Sequence, residues 1–291
     1  SRAAAAARKL LRADRATLAR LEALVDNPGA LSSSALLEEA GGARSAPGDR
    51  TSRGANGAPL VDCLIVAREA FAADFAPLLD FHARRGRATA IVTVEQIETS
   101  YAGIDTQERI RNAVIDYYLN HGLEYLLLAG DSDGGPSDVP HRGLYAAVQS
   151  STLYEDSNIP ADLYYAALDG TWNDDGDSRW GEPGEDDLYS EIAVGRAPIG
   201  SPEDAAAFID KLTAYLRYPV SAQCRSALML GEKLYNDPLT FGGDELDQLI
   251  GTCAAHGFTT TGLPPAFDIA KYYDRDLGSW SKTAVFAAVN A

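Results

Sequence analysis

The sequence predicts an α/β protein: two subdomains built on mainly parallel sheets, the second incomplete in this chain, with a helix ahead of both. Three observations carry this. From about Leu60 onward, short apolar strand-like runs alternate with helical stretches, and near-continuous apolar strands belong to parallel sheets buried on both faces. After a long helix, Tyr218-Pro219 breaks the chain, and the same alternation starts again. The length of 291 residues exceeds one small domain and suffices for two cores.

Residues 1–40 form an N-terminal helical segment. Ala3 to Ala7 favour helix, and Leu11, Leu18, Leu21 and Val25 fall on one face. Asn27-Pro28-Gly29 stops it. Its basic residues, among them Arg8, Lys9, Arg12 and Arg15, leave two readings open. It is an amphipathic helix packed at an edge, or a pro-segment docked on the acidic body. Residues 41–59, rich in Gly, Ser and Arg, read as a flexible linker.

Residues 60–218 make the first α/β subdomain. It opens with a strand at 61–67, a helix at 71–85 closed by Gly86, and a strand at 88–94. Asp105-x-x-Glu108 is a capping box that opens a helix through Tyr118, ended by His121-Gly122. The strand at 124–129 runs into Gly130-Asp131, where a parallel sheet presents ligands at its carboxyl edge. With no G-x-G-x-x-G and no Walker sequence, nucleotide binding is not indicated. Strand-like runs at 163–168 and 191–196 frame an acidic loop. Ser201-Pro202 then starts a helix that reaches Arg217. Residues 219–291 form the first part of the second subdomain: strand 226–232, helix 244–256, strand 259–263 and helix 281–289.

Net charge is −17. Phosphate backbones would be repelled, so nucleic acid is not a general partner; cations and basic substrates are attracted. No apolar run approaches the ~20 residues of a membrane span. Cys63, Cys224 and Cys253 form no CxxC and no Cys/His cluster, which argues against zinc. Cys63 and Cys224 lie in apolar runs and read as buried structural thiols. Ser1-Arg2-Ala3 carries no initiating Met and no signal-peptide pattern, as in a processed or trimmed chain.

The acidic loop holds nine carboxylates from Asp169 to Glu191 and a single cation, Arg179. So many like charges repel unless something cationic sits among them. Asn173, Asp175 and Asp177 alternate around Gly176 like oxygen donors that wrap a hard cation. With Gly176 at the obligatory glycine of an EF-hand, Glu182 falls at the bidentate position, although the first position is Thr171. Asp187, Tyr189 (through its carbonyl) and Glu191 make a second donor set. The expectation is structural Ca²⁺; the alternative is a solvated acidic surface loop.

The runs DCLIVA, RRGRATAIVTVEQI, LEYLLLAGD, ADLYYAALDG, DDLYSEIAVGRAP and ALMLGE with FGGDELDQLI occur in one order over about 61–291. Together they resemble the gingipain-type cysteine peptidases, relatives of the caspases. The resemblance implies two side-by-side three-layer subdomains and proteolysis, with cleavage after basic residues of proteins or peptides, Arg over Lys. In that family the catalytic His and Cys each follow a strand of the second subdomain, the His after a helix like 281–289. The dyad is therefore expected beyond Ala291, in a following C-terminal segment. None of His82, His121, His141 or His256 has the glycine-flanked strand-end setting, and no Cys matches.

Two site residues carry over. Glu232 resembles the carboxylate that orients the His, the plainer reading being an exposed strand end. Asp244 resembles the acid lining the S1 pocket of Arg-specific members, the plainer reading being a helix N-cap. The family also carries Ca²⁺ near the positions of Asp187, Tyr189 and Glu191, and an extracellular or periplasmic setting. The competing function is a non-enzymatic, Ca²⁺-stabilised acidic module that binds a basic partner.

Overall fold

A computed structural model describes residues 57–135, 138–149, 151–220, 223–255, 257–264 and 266–290. The helical segment expected over 1–40, most of the linker and His256 lie outside these residues. The chain divides into two compact units, one ending at Thr213 and one comprising Ala214–Ala291. Both are mixed α/β, and the expected parallel sheet is present. No helix among the described residues is long and apolar enough to cross a membrane.

In the first unit, β1 (Cys63–Ala67) is followed by α1 (Glu69–Ala72) and α2 (Ala76–Ala83). Then come β2 (Thr89–Thr93), α3 (Val94–Ser100), α4 (Thr106–His121) and β3 (Tyr125–Ala129). β4 (Arg142–Gln149) and β5 (Leu153–Ala161) form a separate antiparallel hairpin. β6 (Ala193–Ala197) and α5 (Pro202–Arg217) complete the set. The sheet runs β2-β1-β3-β6, every pair parallel.

Side chains on a strand alternate faces, and β1 shows what each face meets. Leu64 and Val66 pack with Val94 and Ile97 of α3 and with Ile110 and Val114 of α4. Ile65 and Ala67, on the other face, pack with Phe71, Phe75 and Leu78 and with Ala205 and Ile209 of α5. The sheet is thus the middle of three layers.

The helix ends follow local chemistry. Asp105 accepts the Glu108 N–H at 2.8 Å, and Gly122 closes α4 at φ +81°. α3 was not expected: Thr93 and Gln96 form a reciprocal capping box, with bonds of 3.2 and 3.0 Å. That box ends β2 and starts a helix at once. Residues 163–168 are not a strand. Leu163–Tyr165 is a 3₁₀ turn, and Arg111 takes the carbonyls of Tyr164 and Ala167 that a ladder would have used.

In the second unit, β7 (Ser226–Gly231) leads through the hairpin β8 (Lys233–Asn236) and β9 (Leu239–Phe241) into α6 (Gly242–Asp247). The helix expected over 244–256 stops at Asp247. Gly251 at φ +65° interrupts it, and the β-branched Thr252 and Thr259 to Thr261 favour strand. The outcome is an antiparallel hairpin, β10 (Thr252–Ala255) and β11 (Phe258–Thr261). The parallel partner of β7 is instead β12 (Asp268–Tyr273). α7 (Asp274–Leu277) and α8 (Lys282–Val289) follow, and Ser281 Oγ caps α8 by accepting the Ala284 N–H at 3.1 Å.

Candidate functional site

The acidic loop is anchored rather than free. Trp172 is buried in the core with its indole N–H 3.2 Å from the Ala167 carbonyl. Gly181, at φ +75°, bonds back to the Trp172 carbonyl at 2.8 Å, and a Cβ there would sit 3.1 Å from the Trp172 ring. Trp180 lies under the guanidinium of Arg142, 3.7 Å from its ring centre. Two tryptophans therefore pin a loop whose remaining residues are mostly acidic.

Within it, the carboxylates of Asp169, Asp187 and Glu191 each bring an oxygen within 4.8 Å of the others. Glu191 Oε2 accepts the Leu168 N–H at 2.5 Å. Asp187 Oδ1 accepts the Tyr189 N–H at 3.0 Å, while its Oδ2 is buried and among the described atoms has no partner. Burial, then Asp169 and Asp187, push the Glu191 carboxyl up to about 7. Asp187 is raised as well, first by burial. The Tyr189 ring is largely exposed.

Behind this group stands a cation that the sequence reading missed. Arg111, 4% exposed, reaches from α4 and donates to the carbonyls of Tyr164, Ala167, Asp169 and Gly170 at 2.9–3.2 Å. Burial lowers its pKa, and the fields of Tyr164, Asp187, Glu191 and Asp169 oppose that. One guanidinium does not balance three carboxylates. Clustered oxygens, an orphaned buried Oδ2 and a raised carboxyl pKa are what a hard-cation site presents. The donor set fits Ca²⁺, held by Asp169, Asp187 and Glu191, and the ion would supply the missing positive charge.

The other predicted donors separate. Asp175 joins Glu182 and Glu185, their oxygens within 4.8 Å of one another. Glu185 Oε1 accepts the N–H groups of Asp174 and Asp175 at 3.0 and 3.2 Å, and its Oε2 is buried without a partner in the described structure. Asn173 Nδ2 donates to the Asp177 carbonyl at 3.0 Å, leaving Asn173 Oδ1 buried and unpaired among the described atoms. Asp177 turns to the backbone, accepting the Arg179 N–H at 2.5 Å.

A polar cavity of about 380 Å³ opens just past the carboxyl end of β3 and is lined by Ser132, His141, Asn158 and Trp180. It lies next to Gly130-Asp131, where the sheet topology places ligands.

In the second unit, glycines set the geometry. A Cβ on Gly231 would lie 2.5 Å from the Gly243 nitrogen, and one on Gly243 would lie 2.7 Å from the Tyr273 ring. Only glycine at both positions lets α6 start against the carboxyl ends of β7 and β12. Glu232, exposed, follows β7 directly, and its carbonyl accepts the Gly242 N–H at 2.9 Å. The Lys233 N–H donates to Asp274 Oδ2 at 3.0 Å across the same edge. Asp244 does not cap the helix, because Phe241 holds the N-cap position. Its carboxylate instead meets the Arg275 guanidinium, which also bonds Asp247 at 2.9 Å and Asp276 at 3.1 Å.

The cysteines and histidines have other work. Burial pushes the Cys63 thiol up to about 11. His82 Nδ1 lies 2.9 Å from Thr89 Oγ1, and burial, then Arg87 and Arg85, lower its pKa. Both shifts favour the neutral form of each group, unlike the thiolate and imidazolium of a reactive dyad. Cys224 is exposed, so the reading of it as a buried structural thiol is corrected: it precedes β7 in a 3₁₀ turn instead of lying in the strand. His121 bonds the Pro59 carbonyl and His141 bonds Ser132 Oγ, at 2.9 and 2.8 Å.

Comparison with known proteins gives one family: the pattern of peptidase family C25 matches residues 58–291. An uncharacterized protein of Archaeoglobus fulgidus is 25% identical over 185 residues, covering 58% of this chain and 38% of that protein. The crystal structure of the Arg-specific cysteine proteinase gingipain R (RGPB) aligns at 20% identity and a TM-score of 0.45, covering 79% of this chain and 43% of that one. The dimeric latent PorU of Porphyromonas gingivalis aligns at 17% identity and 0.36, covering 72% and 20%. The chain spans less than half the length of each.

Proposed function

This chain belongs to peptidase family C25, and we propose that it forms part of a cysteine endopeptidase that acts on proteins or peptides and cleaves after basic residues, Arg over Lys. The observation that carries the site is the shared edge of β7 and β12. There Gly231 and Gly243 bring the start of α6 against both strand ends, so Glu232 and Asp244 stand on one rim.

Each residue then has a role. Glu232 accepts the N–H of the catalytic imidazole, which fixes its tautomer and steadies the imidazolium as it forms. Asp244 faces the basic P1 side chain, for which a guanidinium offers two parallel bonds. The nucleophilic Cys and its His are supplied by residues outside this chain. Supporting this, Cys63 is buried in β1 and held as a neutral thiol. Asp169, Asp187 and Glu191 would hold a Ca²⁺, and Asp175, Glu182 and Glu185 a second ion, each ion supplying positive charge to the acidic loop.

The test is Glu232→Gln in the full-length gene product, assayed on fluorogenic peptides that differ only at P1. The expected result is a lower kcat for every peptide by a common factor, because the change acts on the His and not on the pocket. An unchanged kcat removes Glu232 from the mechanism. Absence of any thiol-dependent cleavage favours the acidic binding module.

A further inference from the structure

Arg275 lies where a basic ligand of Asp244 would put its charge. Asp244 and Asp247 stand three residues apart on α6, so both carboxylates leave one side of the helix. One guanidinium serves both. Arg275 Nη1 contacts Asp244, Nη2 donates to Asp247 Oδ2 at 2.9 Å, and Nε donates to Asp276 Oδ1 at 3.1 Å. Lys271 Nζ takes the second Asp247 oxygen at 2.7 Å. The face of Tyr273 lies 5.3 Å from the guanidinium carbon.

We infer that Arg275 is a specificity-determining residue, an internal guanidinium that masks Asp244 and must swing away before a basic substrate side chain can pair with it. The inference rests on the reading of Asp244 as the pocket acid. The mask and the expected ligand are the same chemical group, so they compete for the same oxygens. The mask can open: the Arg275 side chain is 32% exposed and that of Asp244 52%, and exposed ion pairs hold weakly against water. When Arg275 leaves, Lys271 still neutralises Asp247, so Asp244 is the carboxylate set free. A competitor inside the chain divides the affinity of every cationic ligand by one common factor. It therefore narrows the preference for basic over neutral P1 residues and leaves the Arg-to-Lys ratio unaltered.

The experiment titrates benzamidine into the 291-residue chain by calorimetry. Arg275→Ala should bind it roughly three- to tenfold more tightly than wild type, and adding Asp244→Asn should abolish that gain. Arg275→Gln, which keeps a hydrogen-bonding side chain without the charge, should fall between, and matching melting curves establish that each variant is folded. Equal benzamidine affinity in wild type and both Arg275 variants overturns the mask. The pocket reading fails separately: it falls if Asp244→Asn leaves the P1 profile of the full-length gene product untouched.

Discussion

Arg111 donates to the carbonyl of Asp169 at 2.9 Å, so a side chain from the middle of α4 holds the first acidic residue of the loop from behind. The same guanidinium satisfies Tyr164, Ala167 and Gly170. Arg111→Met keeps the apolar stem and removes both the charge and the donors. Four carbonyls lose a partner, and three carboxylates lose their nearest fixed cation. Breaking such a buried charge arrangement costs about 3–5 kcal/mol. Urea unfolding of the variant measures it, and a loss below about 1 kcal/mol would mean that water replaces the guanidinium.

Removing calcium should loosen the same loop. Chelation with EDTA is expected to lower the melting temperature, and added Ca²⁺ to restore it. An ion at about 100-fold excess over its Kd stabilises by roughly 2.7 kcal/mol, which for a chain of this size is on the order of 5–10 °C. Asp187→Asn, which removes the charge at the unpartnered oxygen, should flatten the response. A melting curve indifferent to EDTA rules out the ion.

Glu191 makes the ion-free protein sensitive to pH. Its folded-state pKa of about 7 lies above the ordinary 4.5. Between those values the folded state keeps a proton that the unfolded chain has lost, so stability falls as pH rises from about 4.5 to about 7. In EDTA the melting temperature should drop across that window by several degrees, since a displacement of that size corresponds to at most about 3 kcal/mol. Glu191→Gln should remove the drop. With Ca²⁺ present the trend should reverse, because protons and the ion compete for the carboxylate. A flat profile in EDTA contradicts the burial argument.

Much of the first unit is legible because its signals are local. Asp105 and Gly122 announce the ends of α4, and the apolar runs of β1 and β3 announce a buried sheet. What the sequence hides is long-range. Arg111 sits between Ile110 and Asn112, and only its place on one face with Val114 and Tyr118 marks it as buried. Leu163 to Leu168 has a strand's composition, yet a helix 53 residues away takes the Tyr164 carbonyl. In the second unit, Gly251 outweighed an apolar pattern that looked helical. Asp244 reads as a cap until Arg275, 31 residues later, is brought beside it by β12.

That pairing sets the size of the last effect. An acid free in a dry pocket would be worth one to two orders of magnitude in kcat/KM for Arg substrates. Asp244 is half exposed and already paired, so its contribution is that of an exposed ion pair, about 1 kcal/mol. Asp244→Asn in the full-length gene product should therefore lower kcat/KM for P1-Arg peptides roughly fivefold, a factor that corresponds to that energy. Peptides with an apolar P1 should be unaffected. In the Arg275→Ala background the same substitution should cost more, because the carboxylate no longer serves an internal partner, and the excess is the coupling between the two residues. Folding should tolerate the change, since Asp244 caps nothing and its ion pair with Arg275 is half exposed. If wild type prefers an apolar P1, Asp244 serves only to hold Arg275 and thereby tie α6 to α7.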